Sequence, residues 1–242
     1  MSVWMRRVAA VFALALLSGC ATAPGQARDP RDPWEGMNRS VYSFNDKLDQ
    51  VALKPLAKAY VNVVPSPVRT GVGNFFGNLG DVWTAANSLF QLKGQHAVES
   101  AMRVVINTTF GLGGLLDVAT EMRLPKHKED FGQTLAYWGM PSGPYLVLPV
   151  LGPSTLRDTA AMPLDMKGDL VNQVSEVSTR NSLTALHVTD IRAGLLQATD
   201  LVKDAALDPY TFVRDGYLQK RLNDVHDGNP PSDFDYNDPD LK

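Results

Sequence analysis

Residues 131–156 read FGQTLAYWGMPSGPYLVLPVLGPSTL, a stretch without a single Asp, Glu, Lys or Arg. It is long enough for a membrane-spanning helix, which needs about 20 apolar residues. Its composition forbids one, because Pro141, Pro144, Pro149 and Pro153 are interspersed with Gly132, Gly139, Gly143 and Gly152. Each proline removes an amide donor and obstructs the preceding turn. Broken backbone cannot face hydrocarbon, where every unpaired peptide group costs several kcal/mol. The stretch must therefore be surrounded by protein or line a cavity. Two architectures meet that condition. In one it is the dry core of an ordinary domain. In the other it belongs to a protein seated in one membrane leaflet around an internal cavity.

Charge is sparse elsewhere too. Between Arg69 and Lys93 only Asp81 is ionic, and between Arg103 and Asp117 nothing is. EMRLPKHKED at 121–130, within the segment between the last of these stretches and residues 131–156, is by contrast dense in charge. It reads as a solvated turn, or as a loop at headgroup level or against a partner.

The rest of the body has helical periodicity. Trp34, Val41, Phe44, Leu48 and Val51 mark a first helix, and Pro55 opens a second through Leu56, Ala59, Tyr60 and Val63. Ser66 is placed to cap a third, with Pro67 at its first position. Its apolar positions are Val68, Val72, Phe75, Phe76, Leu79, Val82, Trp83, Ala86 and Phe90. Gly71, Gly73, Gly77 and Gly80 lie in the same run, each costing about 1 kcal/mol relative to alanine. Either a neighbour approaches closely or the helix breaks near Gly77–Gly80. Residues 95–107 place Val98, Ala101, Met102, Val105 and Ile106 on one side, with Glu99 and Arg103 spaced to pair on the other. Further helices are expected over 155–162 and 182–206, the latter burying Leu183, Leu186, Leu195, Ala198, Leu201, Val202 and Ala205. Asp208-Pro209 opens a last helix containing Phe212, Val213, Tyr217 and Leu218. Only 145–150 is strand-like, and Pro149 bars it from the centre of a sheet.

The termini address the chain to a membrane surface. Arg6 and Arg7 precede the apolar run Val8–Leu17, a stretch of signal-peptide length. Leu17-Ser18-Gly19-Cys20 then matches a bacterial lipobox, in which the thiol is acylated and the chain is cut before it. Cys20 is the sole cysteine, so no intramolecular disulfide is possible. One acyl chain binds a membrane marginally and several bind it stably. Ala21, rather than aspartate, favours the outer membrane over retention at the inner one. The expected organisation is a signal peptide at 1–19, a lipidated flexible tether at 20–31, one helical domain at 32–226 and an acidic disordered tail at 227–242.

Signs of catalysis are missing. His96, His127, His187 and His226 have no metal-ligand spacing, and no G-x-S-x-G motif occurs. GLGG at 111–114 follows a helical rather than a strand-like segment, and the Gly-rich segments lack a phosphate-loop lysine. Asp130 and Glu121 would be the carboxylate pair of a peptidoglycan-cleaving lipoprotein, but nothing in the sequence joins them. A net charge of −3 argues against nucleic acid.

Six blocks in order, DPWEGMNRSVYSFND, VGNFFGNLGD, RVVINTTFGLGGLLDVA, DFGQTLAYWG, GPYLVLPVLGPSTLRD and DPYTFVRDGYLQKR, resemble the MlaA (VacJ) family of outer-membrane lipoproteins. The resemblance implies an all-α ring seated in the periplasmic leaflet, with a central amphipathic channel. It implies removal of phospholipid that has strayed into the outer leaflet, and its transfer to a soluble periplasmic carrier (MlaC-like). It also implies association with trimeric porins, and no enzymatic activity, metal or cofactor. With it, the leaflet-seated architecture is preferred over the dry core. Asn74, Phe75, Phe76, Asn78, Val105, Asn107, Thr108 and Phe110 become candidates for a mixed channel wall. Gly139 and Gly143 match glycines flanking the family's mobile loop and become candidate hinges, although Pro141 between them stiffens the segment. A porin-docking scaffold that moves no lipid is the alternative function.

Overall fold

The computed structural model describes residues 29–231. The expected signal peptide, Cys20, most of the tether and the tail from residue 232 lie outside them.

Helix α1 (Glu35–Leu48) passes through a π-helical turn (Asp49–Leu53) into α2 (Lys54–Val63). Helices α3 (Ser66–Phe90), α4 (Gly94–Thr109), α5 (Val118–Glu121) and α6 (Phe131–Tyr137) follow. Strands β1 (Tyr145–Leu148) and β2 (Gly152–Thr155) form an antiparallel hairpin with Tyr145 opposite Thr155. The chain closes with α7 (Leu156–Gly168), a 3₁₀ turn (Leu170–Gln173), α8 (Val177–Gly194), α9 (Leu196–Ala205) and α10 (Pro209–Val225).

The uncharged stretch thus divides into a short helix, a loop, a hairpin and the start of α7. Its polar backbone is satisfied by neighbours, as the composition demanded. Two asparagines two turns apart on α1 serve the free edge of the hairpin. Asn38 donates to the Tyr145 carbonyl (3.0 Å) and accepts from the Val147 amide (2.9 Å). Asn45 does the same for Leu148 (2.9 Å) and Val150 (2.8 Å). Their side-chain amides stand in for a third strand.

Packing runs in a closed circuit. Helix α2 lies on α8, α8 on α3, α3 on α4 and α6, α6 on α7, and α7 on β2, while β1 returns to α1. Helix α10 braces α6, β2 and α9.

Several expectations need correction. Helix α3 is unbroken despite its glycines, and its start has no side-chain cap: Pro65 occupies the capping position and Ser66 is already helical. Crowding does not explain the glycines, since neighbours leave room for a side chain at each of them. A Cβ on Gly71 would meet the Leu115 carbonyl at 3.5 Å, one on Gly73 the Asp190 carboxylate at 3.4 Å, and one on Gly77 the Lys126 ammonium at 3.3 Å. The expected helix over 182–206 is two helices, α8 and α9, meeting at Leu195, and Leu186, Leu195, Ala198, Leu201 and Ala205 are exposed rather than buried. Phe212 of α10 is exposed as well. The first residue of the expected tail, Asp227, is tied down by Lys93 at 2.6 Å.

Arg221 shows how these elements are joined. Its guanidinium grips Asp130, the N-cap of α6, through two bonds of 2.6 and 2.7 Å. It also grips Asp158 in the first turn of α7 at 2.8 and 2.9 Å. Gly132 must be small here, since a Cβ would lie 2.4 Å from both Arg221 and Asp158. Burial would raise the pKa of both aspartates, but the guanidinium reverses this and holds both below the usual carboxylate range. Their stabilisation is therefore complete above about pH 4, the unfolded value for aspartate, and is lost as the pH falls through the lower folded values. Replacing Arg221 by Met strands two partly buried carboxylates, and the expected cost at pH 7 is about 1–3 kcal/mol. Both carboxylates can protonate in that variant, so denaturant unfolding should find the deficit smaller at pH 4 than at pH 7. A deficit independent of pH would contradict this account.

Candidate functional site

Among the described residues, buried polar and charged side chains outnumber buried hydrophobic ones about two to one, while many large hydrophobic side chains are exposed. A water-soluble domain distributes them the other way. Helix α4 makes the inversion plain. Its apolar positions do share a side, but that side faces outward: Val98, Met102 and Val105 are 59%, 46% and 63% exposed. With Ala101 and Ile106 they line an open apolar depression of about 300 Å³. The buried side carries Ala97, Ser100, Arg103, Ile106 and Asn107.

Helix α3 answers with a polar stripe. Asn78, Asp81, Thr84, Asn87, Ser88 and Gln91 are buried, whereas Val68, Val82, Leu89 and Phe90 are exposed. Spacings of three or four place that stripe on one helix face. Arg103 sits against it, 1% exposed, with all five N–H donors used. Nε donates to Asp81 (3.3 Å), Nη1 to Thr120 Oγ1 (3.1 Å) and the Leu124 carbonyl (2.8 Å), and Nη2 to both oxygens of Asp117 (2.8 and 2.9 Å). Lys126 supplies a second cation to Asp81 at 2.7 Å. Burial works to raise the Asp117 pKa, but hydrogen bonds from Thr120, Asn107 and Arg103 prevail and hold it at about 2. The expected Glu99–Arg103 pair does not form. Arg103 turns inward, while Glu99 takes Gln95 (2.8 Å) and His127 (2.6 Å).

The polar interior continues toward α6. Thr134 Oγ1 donates to Asn87 (2.8 Å) and accepts from Gln91 (3.2 Å), and Gln91 also donates to the buried Glu129 (3.0 Å). Trp83 reaches Asp165 of α7 at 2.8 Å. The segment 121–130 is therefore a strap fastened to this interior through Leu124, Lys126, His127, Glu129 and Asp130, not a freely solvated turn.

The eight residues expected to form a mixed wall occupy different settings. Asn78 is buried and donates to Thr108 (3.0 Å), and Asn107 is buried between Asp117 (3.0 Å) and the Ala119 amide (2.8 Å). Asn74 donates to the Leu115 carbonyl at 3.1 Å. Phe76 is buried, with Phe75 edge-on at 5.3 Å and His187 stacked at 4.2 Å. Val105 and Phe110 point outward, 63% and 69% exposed. The α3–α4 contact thus gathers Asn78, Asn107 and Thr108, and leaves Val105 and Phe110 on the outer face.

Gly139 and Gly143 both have positive φ, +85° and +66°, where a side chain is strained. Their surroundings differ. A Cβ on Gly139 would meet nothing within 4 Å, whereas one on Gly143 would lie 3.0 Å from Leu156 Cβ. The start of α7 holds the Gly143 end through Leu156 N–H to the Pro144 carbonyl (3.0 Å) and Arg157 N–H to the Ser142 carbonyl (3.1 Å). As for the carboxylate pair, Asp130 is held by Arg221, and Glu121 is exposed at the end of α5.

Residues 30–224 match the family model described as MlaA lipoprotein. The chain belongs to the MlaA lipoprotein family. It is 35% identical over 223 residues to the intermembrane phospholipid transport system lipoprotein MlaA of Shigella flexneri, covering 89% of this chain and 87% of that one. The protein of the same name in Escherichia coli K12 is 34% identical with the same coverage. A solved structure reported under "Structural basis for maintenance of bacterial outer membrane lipid asymmetry" superposes with a TM-score of 0.70 at 31% identity, covering 82% of this chain and 99% of that one. The all-α architecture of this MlaA-family chain, apart from its one hairpin, accords with that likeness. Among the described residues no helix is long and apolar enough to cross a membrane.

The sequence reading missed Arg103, Asp81 and Asp117 as a unit. The signal was present: Asp81 is the only ionic residue between Arg69 and Lys93, and it lies in phase with a stripe of Asn, Thr and Ser. The outward apolar face of α4 yields a test. Replacing Val98, Met102 and Val105 together by Asp should leave the helical circular dichroism unchanged, because all three are exposed. It should sharply reduce flotation of a Cys20→Ala protein with phospholipid vesicles, since each such side chain contributes about 1.5–3 kcal/mol on leaving water. Equal flotation of triple mutant and parent would remove this face from the membrane contact.

Proposed function

We propose that this lipoprotein sits in the periplasmic leaflet of the outer membrane, anchored through acylated Cys20, and removes phospholipid from the outer leaflet. The lipid passes through the polar interior to a soluble periplasmic carrier, which keeps the two leaflets different in composition. A trimeric porin is the membrane partner in this reading. The observation that carries it is the inverted distribution of side chains, in a chain whose relatives are named for intermembrane phospholipid transport.

A phospholipid has a charged headgroup and two apolar tails. Its tails lose little when they move from one apolar setting to another. The barrier lies in drawing the headgroup through hydrocarbon. A route walled by asparagine, threonine and paired charges lowers that barrier by replacing water's hydrogen bonds, so this step needs no ATP. In this reading the segment between Gly139 and Gly143 gates the route, swinging at Gly139 while Gly143 stays against α7.

Two measurements test the proposal. Cells lacking the protein should accumulate phospholipid at their surface. Wild type should reverse this and a Cys20→Ala copy should not; an unaltered surface in the deletion strain rules the function out. Lipid transfer in reconstituted membranes should slow in Gly139→Ala, because the open space there means the substitution restricts the backbone without causing a collision. The expected strain is about 1–2 kcal/mol, too little to unfold the domain. Transfer at the wild-type rate would exclude Gly139 as the hinge. Purified protein devoid of phospholipid by mass spectrometry would favour a porin-docking scaffold instead.

A further inference from the structure

At the edge of the polar interior, three elements bring one imidazole and two carboxylates together. His96 lies in the first turn of α4, Glu129 in the strap before α6, and Asp227 just beyond α10, and one donor atom from each falls within 4.8 Å of the others. Glu129 is 5% exposed. His96 Nδ1 is buried, has no hydrogen-bond partner, and lies 3.9 Å from Glu129 Oε1. The His96 ring is fixed by stacking on His127 at 3.8 Å and 15°, and His127 is in turn bonded to Glu99 at 2.6 Å. The second oxygen of Glu129 accepts from Gln91 at 3.0 Å. Two of the three donors are thus oriented by neighbours, as the ligands of a metal centre are.

One cation already uses this place. The Lys93 ammonium lies 3.1 Å from Glu129 Oε1 and 2.6 Å from Asp227 Oδ1. The salt bridge accounts for the carboxylates but leaves His96 Nδ1 unused, and a buried unpaired nitrogen costs about 1–3 kcal/mol. We propose that His96, Glu129 and Asp227 form a binding site for a divalent transition metal, which competes with the Lys93 ammonium for the two carboxylates. Zinc bonds of about 2.0–2.2 Å bring tetrahedral donors to about 3.3–3.6 Å apart, so the 3.9 Å His96–Glu129 pair closes by about 0.3–0.6 Å and any wider pair by at most about 1.5 Å. Imidazole with carboxylates suits Zn²⁺, Co²⁺ or Ni²⁺, whereas Mg²⁺ keeps its water. The metal's two charges balance both carboxylates and release Lys93 to solvent. Binding joins α4, the strap and the end of α10.

The test is calorimetric titration of ZnCl₂ into the full lipoprotein in detergent after chelator treatment, with MgCl₂ as control. One saturable zinc site is expected. His96→Ala should weaken it by roughly tenfold or more, and Lys93→Met should tighten it by about tenfold. Asp227→Asn, on an exposed turn, repeats the ligand test should His96→Ala lower the thermal midpoint of the metal-free protein. Absence of saturable zinc binding in both wild type and Lys93→Met overturns the proposal. So does wild-type affinity in His96→Ala and Asp227→Asn.

Discussion

The fold depends on a guanidinium buried with every donor satisfied. Transferring a cation such as Arg103 out of water costs several kcal/mol, and only complete pairing recovers it. Asp81, Asp117, Thr120 and the Leu124 carbonyl provide that pairing from α3, α5 and the strap. A guanidinium bonds best to partners that lie in its plane, along the directions of its fork. A hydrophobic contact tolerates rotation of one helix on another, whereas five directed bonds do not. The register of α3 against α4 and α5 therefore follows from Arg103 more than from apolar fit.

The same physics is repeated around the circuit. Arg221 joins α10 to α6 and α7, Arg192 joins α8 to Asp49 of the π-helical turn with two bonds, and Arg214 joins α10 to Asp29 and Asp32 before α1. Asn38 also donates to Asp32 at 2.7 Å, and Tyr210 shares that carboxylate. Most of these clamps join segments far apart in sequence. This is the expected construction where lipid surrounds the outer face. Apolar side chains then gain little by meeting one another, and association rests on hydrogen bonds and close packing.

Much of this was legible in the residues and some was not. The prolines and glycines of 131–156 excluded a spanning helix and forced the stretch into contact with protein, and its hairpin is bonded to Asn38 and Asn45 of α1. Periodicity located α3 and α4 nearly to their ends. It also placed Val98, Met102 and Val105 on one face, but left open where that face points, because a period reveals which residues share a side and not which solvent the side meets. Arg103 went to Glu99 for a similar reason. The i, i+4 rule describes an isolated helix, and the partners that prevailed, Asp81 and Asp117, lie on other elements. The break at Leu195 has no proline or terminal signal beyond Gly194 to announce it.

The gate assigned to residues 139–143 gains its asymmetry from this construction. Arg157 is buried, its amide holds the Ser142 carbonyl, and its side chain pairs with Asp158 at 3.2 Å. Asp158 is itself held by Arg221. The far end of the loop is thus fastened, through two residues, to the guanidinium that locks α10 onto α6 and α7. Gly139 follows α6, its amide donating to the Ala136 carbonyl at 2.9 Å, with open space where a side chain would be, and Arg157 Nη1 also reaches the carbonyl of the next residue, Met140, at 3.4 Å. In the proposed gate Gly139, with open space around it, would turn more freely than Gly143, which packs against Leu156. The loop's travel is bounded by the few residues between Gly139 and Gly143, and Pro141 shortens it further by fixing one torsion. The proposed gate would move a short distance without disturbing the clamps, so the one charge-free stretch would serve both the closed circuit of helices and the loop.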